Sequence, residues 1–183
     1  MRLFTGLDVP YEMRRNLELL LHHLRPKADI SWSPLENLHI TTKFIGEWPN
    51  ERLPELKDAL TRVLRPGELK IALKGLGWFP NPHVPRVFFA AIEAPAGLAK
   101  LAESTESECE GIGIPSEKRP FKPHLTLARI KGPAQLLDLK KAIADLPSVD
   151  FGAWQASHFH LYQSDLRAGG SVYTKLSSYS LLP

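Results

Sequence analysis

Two short stretches decide how this chain folds: Leu38-His39-Ile40-Thr41-Thr42-Lys43-Phe44-Ile45 and Pro123-His124-Leu125-Thr126-Leu127-Ala128-Arg129-Ile130. Each reads histidine, a β-favouring apolar residue, threonine and a strand-like tail, and the histidines stand 85 positions apart. The likeness continues into the flanks. Leu53, Leu56, Leu60 and Val63 follow the first motif at offsets of 0, 3, 7 and 10. Leu136, Leu139, Ile143 and Leu146 follow the second at the same offsets, which predicts one apolar helix stripe in each copy. Asn50 is a candidate cap for the first helix, and Gly132-Pro133 suits the start of the second.

Upstream of the motifs, Arg2 to Leu7 and Arg86 to Ala91 both read as buried strands that end near a proline, Pro10 or Pro95. A helix follows each. Met13, Leu17, Leu20, Leu21 and Leu24 line one; Leu98, Leu101, Ala102 and Thr105 line the other. Farther on, Leu69 to Leu73 and Ser157 to Tyr162 alternate as half-buried strands, and a closing strand from about Val172 to Leu182 follows Gly169-Gly170. The order β-α-β-α-β thus occurs twice. The expected fold is a duplicated α/β (α+β) unit with pseudo-twofold symmetry, antiparallel sheets lining a central cleft and helices outside. No linker divides it, and Pro80 to Pro85 reads as a hairpin loop, so residues 1–183 are expected to form a single domain of two intertwined lobes.

Bulk properties are permissive. The chain is 43% apolar and 23% charged, ordinary for a self-sufficient globular core. One cysteine, Cys109, excludes an intramolecular disulfide and fits a reducing compartment. The first residues lack the long apolar region of a signal peptide, and no run approaches the ~20 apolar residues of a membrane span. A cytoplasmic monomer with no membrane partner is the simplest expectation. A net charge of +3 and a pI near 9.0 permit an anionic ligand without suggesting a long nucleic-acid track.

The chemistry follows from strand parity. Side chains at i and i+2 share a face, so His39, Thr41 and Lys43 are expected on one side of their strand, and His124 and Thr126 on one side of theirs. Facing each other across a pseudo-twofold axis, such strands would bring two imidazoles and two hydroxyls together. A neutral imidazole takes a proton, a protonated one gives a proton, and threonine hydroxyls donate to non-bridging phosphate oxygens. That set suffices to open a phosphodiester with no metal or cofactor. No C-x-x-C, glycine-rich phosphate loop or G-x-S-x-G occurs.

With these residues the chain resembles the 2H phosphoesterases, and among them the RNA 2′,3′-cyclic phosphodiesterases, also called the 2′-5′ RNA ligase family. The carriers are Arg2-Leu3-Phe4, Glu36-Asn37-Leu38-His39-Ile40-Thr41, Pro85-Arg86-Val87 and, most specifically, Phe121-Lys122-Pro123-His124-Leu125-Thr126-Leu127-Ala128-Arg129. The resemblance implies His39 as general acid, His124 as general base, and Thr41 and Thr126 as phosphate-binding hydroxyls. It implies RNA ending in a 2′,3′-cyclic phosphate as substrate, a 2′-phosphomonoester as product, and a reverse reaction that joins a 2′-5′ bond. A 2′-5′ phosphodiesterase, a small cyclic-nucleotide hydrolase and a non-catalytic RNA-end binder are the alternatives.

Other residues carry two readings each. Lys43 is a phosphate ligand or a solvated strand-end lysine. Lys122 shares the parity of His124, although Pro123 interrupts the strand. Arg129 has the opposite parity, and a bulge or strand end is needed to turn it toward substrate. Phe121 is a base-stacking or a core residue, and Arg86 a candidate for a backbone phosphate. Trp32 and Trp78 are expected in the core. His158 and His160 form an H-x-H without further ligands, better read as exposed strand histidines than as a metal site. His22 and His23 suit a helix C-terminus, and His83 a loop.

Overall fold

The computed structural model describes residues 1–183. Its first half runs β1 (Arg2–Asp8), α1 (Tyr11–Leu24), a short β2 (Ser31–Trp32), β3 (His39–Glu47), α2 (Leu53–Thr61) and β4 (Leu69–Phe79). The second half runs β5 (Val87–Glu93), α3 (Ala96–Glu110), β6 (His124–Arg129), α4 (Leu137–Ala144), β7 (Asp150–Ala156), β8 (His158–Arg167) and β9 (Gly170–Ser180). The strands form one sheet in the order β7-β4-β5-β6-β3-β1-β8-β9, with β2 beside β6, and every pairing is antiparallel.

The two motif strands, β3 and β6, meet at the middle of this sheet through a single pair, Ile40 opposite Leu125. Each half-sheet borrows strands from the other half of the chain. β4 crosses to pair with β5, and β8 crosses to pair with β1. The helices are exchanged likewise. Under β4-β5-β6, a core of Leu17, Leu21, Phe88, Leu125, Leu127 and Leu139 mixes α1 with α4. Under β3-β1-β8, a core of Leu3, Ile40, Leu56, Leu60, Leu101 and Phe159 mixes α2 with α3. Fully burying side chains of this size stabilises by ~1.5–3 kcal/mol each, so neither half has a complete core without the other.

The local rules act in parallel in the two halves. Pro10 and Pro95 occupy the N-cap positions of α1 and α3 with extended backbones, and the stripes expected on those helices are buried. Two expected starts differ. Asn50 makes no capping bond: residues 50–52 form one tight 3-10 turn, and α2 opens at Leu53 with Pro54 in its first turn. Gly132-Pro133 lies in a loop and α4 begins only at Leu137, although Leu136, Leu139, Ile143 and Leu146 all reach the core. β7 was not expected; it pairs with β4 along the edge of the second half-sheet. The segment 80–85 is the β4–β5 connection, and the strand expected over 157–162 extends to Arg167.

Candidate active site around His39 and His124

The Ile40–Leu125 pair fixes the site. In an antiparallel pair residues run in opposite order, so His39 falls opposite Thr126 and Thr41 opposite His124. The four side chains occupy the face of the sheet away from the helices, because Ile40 and Leu125 between them are completely buried in the two cores.

Backbone carbonyls orient both imidazoles. His39 Nδ1 lies 2.7 Å from the Asn37 carbonyl oxygen, and His124 Nδ1 lies 2.8 Å from that of Lys122. A carbonyl only accepts, so each Nδ1 carries the hydrogen and each Nε2 is left for chemistry. Here the two halves part. His39 Nε2 is 2.9 Å from its own Thr41 hydroxyl, whereas His124 Nε2 has no protein partner and is open to solvent. His39 also sits among aromatic rings: Phe4 at 4.6 Å, Tyr173 at 5.2 Å and Tyr162 at 6.2 Å between centroids. His124 meets Phe79 and Phe89 edge-on at 5.0 and 5.6 Å. Burial holds both histidines below their ordinary pKa. The cation of Arg129 pushes both down further, and His124 adds to the effect on His39.

Both motif strands contain a bulge one residue after the threonine. Thr5 pairs with Lys43 and Gly6 with Thr41, leaving Thr42 unpaired; Phe88 pairs with Ala128 and Phe89 with Thr126, leaving Leu127 unpaired. The extra residue reverses the alternation beyond it. Arg129 is thereby carried onto the cleft face, exposed and free of any ion pair. The same reversal takes Lys43 off that face. Lys43 is buried, with Nζ 2.9 and 3.0 Å from the two carboxylate oxygens of Glu106 on α3 and 3.2 Å from the Pro115 carbonyl oxygen. The expectation that it faces phosphate is corrected. Thr42 is buried, its hydroxyl 2.8 Å from that of Thr5. Gly6 permits the first bulge, since a Cβ there would stand 2.6 Å from the Ile40 carbonyl oxygen.

The remaining candidates separate. Lys122 is exposed and contributes its carbonyl to His124. Phe121 is half-buried against the core under the first half-sheet, which takes up its ring. Arg86 is exposed at the end of the β4–β5 loop, its amide bonded to the Phe79 carbonyl. Trp32 and Trp78 pack on the second core. His22 and His23 occupy the last turn of α1, and His83 is exposed in its loop. His158 is exposed as expected, but His160 is not. It is buried on β8 with Nε2 3.3 Å from Asp8 and Nδ1 2.8 Å from the Ser178 hydroxyl; Lys175 Nζ, at 2.6 Å, also holds Asp8. Asp8 is the ladder partner of His39, so this polar cluster borders the site. Nothing local to residues 158–160 announces a partner at the far end of the sequence.

A duplicated antiparallel fold with one H-x-T strand from each half at its centre defines a two-histidine phosphoesterase architecture. The family model for LigT-like phosphoesterases matches the chain twice, over residues 7–89 and 91–173. The chain belongs to that family. It is 38% identical to the RNA 2′,3′-cyclic phosphodiesterase of Thermus thermophilus over 99% of its own length and 90% of that protein. It is 30% identical to the RNA 2′,3′-cyclic phosphodiesterase of Escherichia coli over 98% of its length and 96% of that protein. Among solved structures, TT0787 of Thermus thermophilus superposes with a TM-score of 0.84 at 36% identity, covering 99% of this chain and 98% of that one. E. coli LigT complexed with 3′-AMP superposes with a TM-score of 0.77 at 26% identity, covering 98% and 97%. No helix is long and apolar enough to cross a membrane.

Proposed function

We propose that the protein opens 2′,3′-cyclic phosphate ends of RNA to 2′-phosphomonoesters by a metal-independent two-histidine mechanism. The observation that carries this reading is the Ile40–Leu125 pair, which sets each catalytic imidazole opposite the other half's threonine. A phosphate between them has a proton acceptor on one side, a proton donor on the other and a hydroxyl beside each. The relatives named for this reaction support the substrate.

His124 is the base. Its Nε2 is open to solvent and its Nδ1–H is fixed by the Lys122 carbonyl, so the lone pair is free to take a proton from water. The oxygen–phosphorus bond forms on that side. His39 is the acid, and its proton goes to the 3′ oxygen as the 3′ oxygen–phosphorus bond breaks. Its enclosure and the Arg129 cation lower its pKa, which makes it a stronger proton donor once charged. Thr41, Thr126 and Arg129 hold the non-bridging oxygens, with the arginine offsetting charge that builds in the transition state. The whole chain acts as one domain, a monomer in the cytoplasm, where the completely buried Cys109 stays a thiol whose pKa burial pushes up to about 11.

The test is an RNA oligonucleotide ending in 2′,3′-cyclic phosphate, incubated with the protein in excess EDTA and read by ³¹P NMR. A 2′-monophosphate is expected. An unchanged ring, or a 3′-monophosphate, would overturn the reading.

A further inference from the structure

The duplicated bulges place one more pair of residues at matching positions, and there the symmetry is broken. Beyond Thr126 the cleft face carries Arg129; beyond Thr41 it carries Phe44. Antiparallel counting from Ile40–Leu125 sets Arg129 at the His39 end of the site and Phe44 at the His124 end, roughly 7 Å along the strand from Thr41. Phe44 is 53% exposed, whereas the other aromatics beside the cleft are buried, as Phe4 and Tyr162 are, or half-buried, as Phe79, Phe89 and Tyr173 are. It is also held in place. Arg2, from the same face of β1, has its guanidinium carbon 5.2 Å from the ring centroid, and the ring remains more than half exposed beside that cation.

The two ends of the site serve different partners of the phosphorus. The oxygen that leaves toward His39 belongs to the terminal nucleoside, so that nucleoside lies at the His39 and Arg129 end. The attacking oxygen arrives at the His124 end. A water needs nothing beyond His124 there. A nucleoside presenting its 5′-hydroxyl needs a surface for its base, and an exposed, cation-backed ring is such a surface.

We infer that Phe44, backed by Arg2, is the stacking platform for a second nucleoside, whose 5′-hydroxyl replaces water as nucleophile in 2′-5′ joining and which departs in 2′-5′ cleavage. This rests on the acid and base assignment above. In joining, the 5′ oxygen–phosphorus bond forms and the 3′ oxygen–phosphorus bond breaks. His124 takes the hydroxyl proton, His39 supplies one to the 3′ oxygen, and the product is a 2′-5′ phosphodiester with a free 3′-hydroxyl. Cleavage is the same path reversed, with the second nucleoside leaving from the Phe44 end.

The experiment compares two reactions of the full chain: hydrolysis of a cyclic-phosphate-ended oligonucleotide, and cleavage of a 2′-5′-linked dinucleotide. Stacking on one aromatic ring is worth roughly ten- to a hundredfold. Phe44→Ala is expected to lower the ratio of the second kcat/KM to the first at least tenfold, and Phe44→Trp to restore it. Thermal melts of both variants show that the fold is intact. An equal loss in both reactions, or no loss in either, overturns the platform, as does a wild-type protein that opens cyclic ends but leaves the 2′-5′ bond intact. A wild-type protein inert on cyclic ends that still shows the Phe44 dependence in dinucleotide cleavage overturns the hydrolase reading and keeps the platform. Inertness on both overturns both.

Discussion

His39 and His124 stand at the same place in two copies of one design, each with Nδ1 fixed by a backbone carbonyl, yet the surroundings of their Nε2 atoms differ. His39 has both ring nitrogens engaged and aromatic rings around it; His124 has one nitrogen engaged and the other open to solvent. The repeat supplies symmetric positions, and its sequence differences supply asymmetric chemistry. A phosphoryl-transfer site needs this, because acid and base must differ in protonation while sharing one substrate.

The largest expected effect comes from removing either imidazole. His39→Ala and His124→Ala should each lower kcat on cyclic-phosphate RNA by ~10²–10⁴-fold, the usual worth of one positioned acid or base. Binding of the product 2′-phosphomonoester, followed by NMR titration, should survive. Near-wild-type turnover in either variant would mean that the two sites are not partners.

The next comparison concerns the position after each bulge. The first half buries Lys43 with Glu106 there, and the second buries Ala128. Lys43→Met leaves the Glu106 carboxylate without its cation, and removing one partner of a buried pair costs about 3–5 kcal/mol. Glu106 is a quarter exposed, which favours the lower end. Lys43→Met with Glu106→Leu should recover most of that loss in urea melts. Per folded molecule, kcat/KM should stay within twofold of wild type in both variants. A selective KM increase would return Lys43 to the phosphate.

Arg129 tests what the two histidines share. Its cation lowers the pKa of both, so Arg129→Gln should move both limbs of the kcat/KM profile to higher pH while lowering the rate. In the wild type, both groups lie below the ordinary histidine value. Activity should therefore already be falling as pH rises toward the ordinary histidine value of about 6.5, because the proposed acid loses its proton below it. If only one limb moved in the variant, Arg129 would belong to one half and not to the axis between them.

The sequence displayed the duplication plainly, because descent repeated whole elements: the H-x-T strands, their helix stripes, and Pro10 with Pro95. It displayed the four central residues for the same reason. Strict alternation failed beyond Thr41 and Thr126, because a bulge is a relation between two strands and leaves little mark in one of them. The run Leu127-Ala128, two core residues in succession before Arg129, was the one visible hint; Thr42-Lys43 hid its counterpart. Glu106 and Asp8 lie too far along the chain from Lys43 and His160 for any local pattern to join them. The break of symmetry at Phe44 follows from the matched bulges in β3 and β6, which neither motif carries in its own residues.

The smallest expected effect separates the flank of His39 from that of His124. Asp8, the ladder partner of His39, is held well below the usual carboxylate range, first by its hydrogen bond to His160 and then by Lys175. Ala91 holds the matching place beside His124 and has no charge to titrate. A carboxylate with a depressed folded pKa contributes stability that is present above its unfolded value, near 4, and is lost as pH falls toward the folded one. Asp8 is half exposed, so solvent screens much of that contribution. Asp8→Asn should thus lower Tm slightly at pH 6, and the difference from wild type should shrink as pH drops below 4. Cyclic-end hydrolysis gives the second readout. If the cluster only braces β1 against β8 and β9, Asp8→Asn changes Tm and leaves the pH profile of kcat in place; a shift of the His39 limb would make Asp8 a positioning residue for the acid.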